Sequence, residues 1–399
     1  MLRRLRITDF RNFAAAQLDL GPGFTVLHGH NGAGKTNILE ALWLAGTLRS
    51  FRTNDIDSLI RTEQSTARIE VLADDVDTAL PASLEVRLDR SGGGRGAARR
   101  VLSADGKTIR AARDFYGRVR AVLFTPEDLA VLRGAPQARR QFVDRMLFVR
   151  DRLHIDDIAR YEKLLRARNR VLKEAGELVR GAELDRLLDT YDTSLAEVGA
   201  RIARRRHALV QDLRLAFLEA FADIHGASLV PTLDYTERTP AQAHCARTLE
   251  AASVADGAEF DTDAARRQAL VEALGRGRAR DLARRTTGEG PHLDELELTL
   301  GGHVVGDFAS QGQTRALVLA LKLAELRRLH EVTRTPPLLL LDDVSSELDP
   351  ARNERLFATL FAHVGQCLLT TTATTYVRLP SDAPMRRVHV DGGRLQAAT

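Results

Sequence analysis

The feature that most constrains this chain is a glycine-rich segment near its start, with the sequence Gly29-His30-Asn31-Gly32-Ala33-Gly34-Lys35-Thr36. The short apolar run Phe24–His28 precedes it, and apolar residues recur at helical spacing over Asn37–Leu48. A strand, a glycine loop and a helix in this order predict a phosphate-binding loop, in which backbone N–H groups and the helix N-terminus face an anionic phosphate. Glycine is required there because a Cβ would block the close approach of the backbone.

The residues of this loop have predicted roles in holding a nucleotide. Lys35 is expected to neutralise the β- and γ-phosphates of ATP, and the Thr36 hydroxyl is expected to sit on Mg²⁺. The residues from Gly29 to Gly34 are expected to contribute backbone contacts, and the His28 and His30 side chains are interpreted as spacers without chemistry of their own. The cofactors predicted from the sequence are therefore ATP and Mg²⁺.

A pair of acids supplies the second half of the predicted site. The apolar run Leu338–Leu341 ends at Asp342 and Asp343, so a buried strand would deliver both carboxylates to the edge of a sheet. Asp342 is expected to hold Mg²⁺ through water, and Asp343 is expected to orient or deprotonate the attacking water as the catalytic base. The alternative is that the two acids merely cap a strand.

A third motif, Ser310-Gln311-Gly312-Gln313, directly precedes a helix predicted over Thr314–Leu329. In ATPases that sandwich ATP between two heads, this order of motifs places the serine and the helix dipole of one subunit against the γ-phosphate held by the other. The alternative is ordinary helix capping. The segment Ser345–Asp349 matches the stretch that communicates across such an interface. Thr370–Thr372 stands where these ATPases often carry a histidine that senses the γ-phosphate.

The order of the predicted elements indicates two lobes. Residues 66–110 are rich in strand-forming residues with a hairpin turn at Asp105-Gly106, and residues 127–225 follow a helical pattern. Strand composition returns at Leu296–Leu300, and a further helix is predicted over Pro350–Val364 before the last strand.

The simplest architecture from these elements is an α/β fold with one discontinuous domain. Continuous apolar strands covered by helices predict a buried, largely parallel sheet. Residues 1–125 and 290–399 would form an ATPase head, and residues 126–289 would form an inserted helical lobe, or arm.

Charge and cysteine content narrow the partners and the compartment. The 58 basic and 54 acidic side chains give a net charge of only +4, but arginines are concentrated at Arg204–Arg206 and over residues 276–285. Such clusters suit the phosphate backbone of nucleic acid, with affinity that falls as salt rises, or else they form a solvated face. The two cysteines, Cys245 and Cys367, cannot form a disulfide framework, which fits a reducing cytoplasm. No signal peptide or membrane span is predicted.

Beyond the phosphate loop, a series of segments resembles the RecF family of bacterial recombinational-repair ATPases, which are relatives of SMC proteins and ABC-type heads. The resemblance runs nearly the whole length of the chain, through Phe10–Phe13, Asn37–Ala41, Arg49–Thr53, Val122–Leu129, Arg139–Asp144, Arg168–Lys173, Gly290–His292, Ala309–Gln313, Leu319–Glu325 and Leu341–Asp349. The chain departs from the family pattern at Leu293, where arginine is usual, and at Thr314, where glutamine is common. The Gly/Arg stretch at 91–96 matches no motif.

The resemblance implies an ABC-type P-loop ATPase head that acts as an ATP-dependent DNA clamp. Two heads would form a homodimer with ATP on double-stranded or gapped DNA, through backbone contacts, and slow DNA-stimulated hydrolysis would release them. RecR and RecO would act with the protein in loading RecA, for gap repair, replication upkeep and SOS induction in the cytoplasm at the nucleoid. The resemblance also implies that Arg11 and Asn12 flank the nucleotide and that Arg52 approaches the γ-phosphate.

Three other classes fit the sequence less well. An SMC protein would need a long heptad coiled coil, and an ABC transporter subunit would carry Leu-Ser-Gly-Gly-Gln and a switch histidine. A structural DNA-binding protein with a vestigial nucleotide site is disfavoured by the intact Lys35, Thr36, Asp342 and Asp343.

Overall fold

The computed structural model describes the chain apart from residues 54, 75–79, 91–98, 129–130, 133, 176–180, 227–228, 239–261, 344–356, 358–363, 378, 380–382 and 398–399. The predictions for Ser345–Asp349, for the stretch at 91–96 and, except at Phe357 and Val364, for the helix over Pro350–Val364 lie outside the described residues. The chain forms two compact units. The first comprises residues 1–130, 215–228 and 310–399, and the second comprises residues 131–214 and 229–309.

Strands and helices both occur along most of the chain. The strands are β1 (Leu2–Phe10), β2 (Phe13–Asp19), β3 (Gly23–His28), β4 (Thr66–Asp74), β5 (Pro81–Asp89), β6 (Arg99–Ala104), β7 (Lys107–Ile109), β8 (Ala121–Phe124), β9 (Pro231–Thr236), β10 (Glu295–Leu300), β11 (His303–Val304), β12 (Leu338–Leu341), β13 (Gln366–Thr371), β14 (Met385–Asp391) and β15 (Arg394–Ala397). The helices are α1 (Lys35–Thr47), α2 (Pro136–Arg150), α3 (Arg152–Glu174), α4 (Gly181–His225), α5 (Thr262–Arg284), α6 (Val305–Phe308) and α7 (Gln311–Thr333). Short 3₁₀ turns occupy Asp57–Leu59, Ala112–Asp114, Pro126–Asp128 and Thr374–Tyr376.

The first unit contains an antiparallel sheet with the strand order β2-β1-β4-β5-β6-β7. Alternate residues of β4 and β5, such as Ile69 and Val86, are apolar and buried, as expected for a sheet with one face on the core. Asp105 and Gly106 connect β6 to β7 with φ angles of 49° and 75°, which suit a two-residue hairpin turn. The hairpin predicted at these residues is confirmed.

The second sheet of this unit is the parallel sheet that the apolar runs predicted. Its order is β15-β14-β3-β13-β12-β8, and every pairing is parallel except that of β14 with β15. All four leucines of β12 are buried. Because β3 and β12 both run parallel to β13, they end at the same edge of the sheet. That edge carries the glycine loop and the acid pair.

Helix α1 lies between the two sheets and is buried on nearly all sides. It packs against β1, β4 and β5 of the antiparallel sheet and against β8 and β13 of the parallel sheet. Every residue from Ile38 to Thr47 is buried. Since this helix begins in the glycine loop, its packing fixes the loop against the protein core. Helix α7, in turn, packs against β8.

The second unit is mixed and not purely helical. The helices α2, α3 and α5, and α4 up to residue 214, accompany an antiparallel sheet of order β11-β10-β9. Because β10 pairs along its length with β9, residues 290–309 lie in this unit, whereas the sequence grouped them with the head. The last turns of α4, from residue 215, belong to the first unit, as do residues 126–130. Both segments lie inside the lobe predicted over 126–289.

Candidate nucleotide-binding site

The loop between β3 and α1 holds its glycines in conformations that other residues rarely adopt. Gly29, Gly32 and Gly34 have φ angles of 149°, 80° and 114°. A Cβ on Gly29 would lie 2.2 Å from the carbonyl oxygen of Val390, and a Cβ on Gly34 would lie 2.7 Å from the side-chain amide of Asn12. Backbone conformation and close packing therefore both require glycine, and the loop keeps the bare backbone that a phosphate cradle needs.

The hairpin of β14 and β15 braces this loop. The N–H of Gly393, in the turn of the hairpin, donates to the carbonyl oxygen of Ala33 with an N···O distance of 3.2 Å. A Cβ on Gly393 would lie 2.4 Å from the carbonyl oxygen of Asn12. This hairpin is absent from the sequence-based expectations, although Gly392-Gly393 beside the alternating Val388 and Val390 is a hairpin signal.

Lys35 is enclosed by the loop that it follows. Its ammonium donates to the carbonyl oxygens of Gly29 and His30 at 2.7 and 2.9 Å, and only 8% of the residue is exposed. Burial lowers the pKa of Lys35, while the nearby Asp343 and Asp342 act in the opposite direction. A cation held inside the loop is the counter-charge that a phosphate in this cradle requires.

The acid pair meets the loop at Thr36. The Thr36 hydroxyl donates to Oδ1 of Asp342 at 2.9 Å, although the two residues are 306 positions apart in the chain. Asp342 is nearly buried at the end of β12, and the next residue, Asp343, has a left-handed φ of 47°. The structure therefore brings together the two residues that the sequence predicted as Mg²⁺ ligands. A hydroxyl beside a carboxylate is a donor set that suits Mg²⁺.

Thr370, at the end of β13, organises both acids. Its hydroxyl donates to Oδ1 of Asp342 at 2.7 Å and accepts from the backbone N–H of Asp343 at 2.9 Å. The sequence marked Thr370–Thr372 only as the place of a possible sensor. The structure instead shows Thr370 holding the acid pair in position.

The residues between β1 and β2 differ in what they contact. The Asn12 amide donates to the carbonyl oxygen of Ala33 at 2.9 Å, so Asn12 lies on the loop itself. Arg11 donates from Nε and Nη2 to the two carboxylate oxygens of Glu40, at 2.8 and 2.7 Å. Glu40 is a buried residue of α1 that the sequence did not single out. Its position one turn beyond Thr36 is the signal that could have shown it.

Ser310 caps helix α7. Its hydroxyl accepts from the N–H of Gln313, and the Gln313 side chain accepts from the N–H of Ser310 at 2.8 Å, which together form a capping box. Ser310 and Gln311 are exposed, and Gly312 and Gln313 are partly exposed. The motif thus serves as a helix cap and also presents a helix N-terminus at the surface.

The cluster Arg204–Arg206, expected to be available to nucleic acid, is largely committed to carboxylates. Arg206 is buried and donates to both oxygens of Asp144 at 2.8 Å. Arg205 forms ion pairs with Asp151 and Asp157, and Arg204 forms one with Asp263 at 2.7 Å. These arginines stabilise the second unit through pairing, because an unpaired buried charge would be costly.

The arginines over residues 276–285 divide into two groups. Arg278 bridges Asp189 and Asp192 at 2.6 and 2.7 Å, and Arg280 pairs with Glu289. Arg284 and Arg285 are exposed and form no ion pair with any residue that the structure describes. The end of α5 therefore carries cations that remain available to an anionic partner.

The described residues contain neither a membrane-spanning helix nor a cluster of metal-binding side chains. No described helix is long and apolar enough to cross a membrane. Among the same residues, no group of three or more His, Cys, Asp or Glu side chains is arranged to hold a metal ion.

Fold and site together define the class of the protein, an ABC-type P-loop ATPase head with its glycine loop and acid pair on one edge of a parallel sheet. The model of the RecF/RecN/SMC N-terminal domain family matches residues 1–391, and the chain belongs to this family. The fold class predicted from the sequence is thereby confirmed.

Two relatives that match this chain over nearly its whole length are RecF proteins. The DNA replication and repair protein RecF of Myxococcus xanthus (strain DK1622) is 37% identical over 395 residues, which cover 99% of this chain and 96% of the relative. RecF of Geobacter sulfurreducens (strain ATCC 51573 / DSM 12127 / PCA) is 35% identical over 379 residues, covering 95% and 94%. The resemblance to the RecF family that the sequence motifs indicated is confirmed.

Solved structures agree with these relatives. The recombination mediator protein RecF with ATPrS, from the RecFOR pathway, has a TM-score of 0.84 and 26% identity, and the match covers 100% of this chain and 98% of that one. The same mediator with ATP has a TM-score of 0.82. An Smc head bound to the C-winged helix domain of ScpA has a TM-score of 0.53 at 14% identity and shares the fold alone.

Proposed function

We propose that this protein is an ATPase of recombinational DNA repair, which binds ATP with Mg²⁺ and uses it to dimerise on DNA. The observation that carries this proposal is the 2.9 Å contact between Thr36 and Asp342. It joins the end of the glycine loop to the acid at the end of β12, and a phosphate-bound Mg²⁺ needs oxygen ligands from both. The RecF relatives, named as DNA replication and repair proteins, support the pathway.

Each residue at the loop then has a role in the reaction. Lys35 and the loop N–H groups hold the β- and γ-phosphates, Thr36 and Asp342 hold Mg²⁺, and Asp343 orients or deprotonates the attacking water. Asn12 supports the loop backbone by its hydrogen bond to Ala33, and Arg11 pairs with Glu40 of α1. Arg52, whose Nη1 donates to Asn37 in the first turn of α1 at 2.8 Å, approaches the γ-phosphate.

The exposed motif at Ser310 serves the partner subunit in this proposal. A serine and a helix N-terminus bind an anionic phosphate well, and Ser310 presents both at the surface. Ser310, Gln311, Gly312 and Gln313 of one head would close the site formed by Lys35 and Asp342 of the other head. The homodimer would therefore form only with ATP.

DNA is the macromolecular ligand of the proposed dimer. Contacts to the backbone of double-stranded or gapped DNA would stimulate a weak ATPase, and the protein would act with RecR and RecO in loading RecA. Arg284 and Arg285 replace Arg204–Arg206 as candidate phosphate contacts, because the latter are paired within the chain. The protein would work in the cytoplasm at the nucleoid.

The proposal is tested by substituting the loop lysine. Lys35→Met should abolish ATP binding, measured by calorimetry with ATP and Mg²⁺, because phosphate charge would be left uncompensated in a partly dehydrated site. Lys107→Met, at an exposed lysine of β7 in the same unit, is the matched control and should bind like the wild type. Circular dichroism verifies that both variants are folded. Wild-type ATP affinity in a folded Lys35→Met protein would refute the nucleotide site.

A further inference from the structure

Glu40 is a fully buried carboxylate, and it has no part in the proposed binding of phosphate or of Mg²⁺. Its side chain is 0% exposed, and it lies on α1 about one turn beyond Thr36. Burying a charge is costly unless hydrogen-bonding partners compensate it. The partners of Glu40 therefore indicate what its charge is for.

Both oxygens of this carboxylate are occupied by donors from two different segments. Arg11, between β1 and β2, donates to Oε2 and Oε1 at 2.8 and 2.7 Å. From the segment after α1, the Ser50 hydroxyl donates to Oε1 at 2.5 Å, and Nη1 of Arg52 lies 3.6 Å from Oε2. Glu40 thus ties the turn at Arg11 and the segment 50–52 to the helix that begins at the phosphate loop.

Hydrogen bonds also connect Arg52 to the glycine loop. It donates to Oδ1 of Asn37 at 2.8 Å, and the Asn37 amide donates to Oδ1 of Asn12 at 2.8 Å. Asn12 in turn donates to the carbonyl oxygen of Ala33 at 2.9 Å. An unbroken chain of hydrogen bonds therefore runs from Arg52 to the backbone of the glycine loop.

The two arginines on Glu40 differ in how firmly they are held. The Arg11 side chain is 18% exposed and adds a third hydrogen bond, to the carbonyl oxygen of Ser58 at 3.0 Å. The Arg52 side chain is 44% exposed, and its contact with Glu40 is the longer one. Arg11 is accordingly fixed in a bidentate pair, whereas Arg52 is held near the loop with freedom to turn toward a phosphate.

We propose that Glu40 is a positioning residue that holds Arg52 within reach of the γ-phosphate, so that the site distinguishes ATP from ADP. The inference rests on the proposed function, in which the glycine loop binds ATP. ADP lacks the phosphate that Arg52 would meet. Loss of Glu40 should therefore weaken binding of ATP and leave binding of ADP unchanged.

The test compares the affinities for ATP and ADP, each with Mg²⁺, in Glu40→Gln and in the wild type. Glutamine keeps the shape of the side chain but turns one acceptor into a donor that faces arginine N–H groups. ATP affinity should fall about tenfold, the effect of one charge-assisted hydrogen bond, and ADP affinity should not change. Arg52→Ala should behave in the same way, and the double variant should lose no more than either single variant.

A matched control separates positioning from general loss of stability. Glu295, in the second unit, accepts two hydrogen bonds from Arg139 at 2.6 and 3.1 Å. Glu295→Gln should therefore destabilise the protein without changing the ratio of ATP to ADP affinity. Ser50→Ala, which removes one donor to Glu40, is a milder variant and should lower the same ratio by a smaller factor if Glu40→Gln does not fold.

The possible outcomes are distinguishable. Equal losses for ATP and ADP in Glu40→Gln would overturn the inference, because Glu40 would then only stabilise the helix. An unchanged ratio in Glu40→Gln, with a reduced ratio in Arg52→Ala, would overturn it as well and would leave the ATPase proposal standing. Failure of the wild-type protein to bind ATP would refute both together.

Discussion

The hydroxyl of Thr370 donates to Oδ1 of Asp342 over 2.7 Å and accepts the backbone N–H of Asp343 over 2.9 Å. One side chain from β13 thereby fixes both acids at the end of β12. The same hydroxyl therefore contacts the carboxylate oxygen that accepts from Thr36 and the backbone of Asp343, whose φ is left-handed. Among the described residues, the Thr370 hydroxyl bonds to the two acids and not to the glycine loop, so Thr370 acts through the acids.

Thr370→Val should lower kcat for ATP hydrolysis by about tenfold with a much smaller change in ATP affinity. Valine keeps the shape and removes the hydroxyl, so Asp342 loses a donor and the Asp343 N–H loses its acceptor, at a cost of about 1–3 kcal/mol. Thr370→Ser, which retains the hydroxyl, should restore most of kcat. Steady-state phosphate release measures both variants. Equal rates in Thr370→Val and the wild type would show that the acids hold their positions without this residue.

The glycine loop and the acid pair could be predicted because each is a local pattern whose neighbours in sequence are also its neighbours in space. Glu40 and Thr370 could not, since their roles depend on which distant strands and turns lie beside α1 and β12. Thr370 reaches Asp342 across 28 positions, and Arg11 reaches Glu40 across 29. Side-chain partners at such separations follow from strand order, which a single sequence does not specify.

Distant partners also account for the arginine run, where a contact with nucleic acid was predicted and the structure shows ion pairs. A run such as Arg204–Arg206 has the composition of a nucleic-acid contact, but Asp144, the partner of Arg206, lies 62 positions earlier. The difference between the predicted boundary at residue 290 and the observed unit has a similar cause, because β9 lies next to β10 in space and was not predicted as a strand. The predicted parallel sheet, by contrast, followed from continuous apolar runs and is confirmed.

Ser310→Arg should leave ATP binding by the monomer intact and block ATP-induced dimerisation and hydrolysis. The hydroxyl of Ser310 caps its own helix, so its loss costs about 1 kcal/mol of stability, whereas a bulky cation at the dimer interface would exclude the partner head. Sedimentation with ATP and Mg²⁺ measures the dimer. Ser310→Ala, which removes the cap without adding bulk, is the control for stability. Normal dimerisation of Ser310→Arg would mean that Ser310 is only a helix cap.

A mixture of Ser310→Arg with Lys35→Met tests the composite site directly. In each heterodimer, one site has both residues intact and the other has both replaced. Partial ATPase activity should reappear in the mixture if one closed site can hydrolyse ATP without the other. Activity that depends on mixing would place Ser310 and Lys35 in the same site on different subunits.

His292 should make the stability of the second unit depend on pH. The Tyr161 hydroxyl donates to Nδ1 of His292 at 2.8 Å, and its Nε2–H donates to the carbonyl oxygen of Thr287 at 3.2 Å. This arrangement holds a neutral ring, and burial lowers the pKa of His292 from 6.5 to about 4. The stability that it contributes is therefore fully present above pH 6.5 and is lost as the pH falls toward 4, because the unfolded chain takes up the proton first.

A variant isolates this contribution from other buried groups. Burial raises the pKa of Asp294 to about 6 and that of Glu237 to about 7. The stability that these two groups contribute to the protein is lost as the pH rises through those values, so their pH dependence is opposite in sign to that of His292. His292→Asn keeps an acceptor for Tyr161, and the stability gap between wild type and variant should narrow by about 2 kcal/mol between about pH 7.5 and pH 5. Urea unfolding at both values measures it. In the wild type, the NMR signal of the ring should not titrate above about pH 5, and titration near pH 6.5 would contradict the buried neutral ring.

Arg284 and Arg285 should contribute to DNA affinity, and Arg204 should not. A cation that contacts a DNA phosphate releases counterions, so the logarithm of affinity falls linearly with the logarithm of salt, by a slope of about 0.9 for each contact. Arg284→Ala with Arg285→Ala should therefore reduce the slope by about 2, and binding should weaken equally for DNA of any sequence. Fluorescence anisotropy of labelled duplex DNA across a salt series measures this.

The control for this experiment is Arg204→Ala, which removes the same charge from an arginine that is partly exposed and already paired with Asp263. The salt dependence of DNA affinity in Arg204→Ala should stay close to that of the wild type, because Arg204 already pairs with Asp263 in the free protein. A reduced slope in Arg204→Ala alone would mean that DNA displaces Asp263 and that the run Arg204–Arg206 is the contact after all. A wild-type slope in both variants would place the contacts elsewhere on the protein. Affinity that does not respond to salt would exclude binding through the phosphate backbone, since no other mode releases counterions in proportion to the cations engaged.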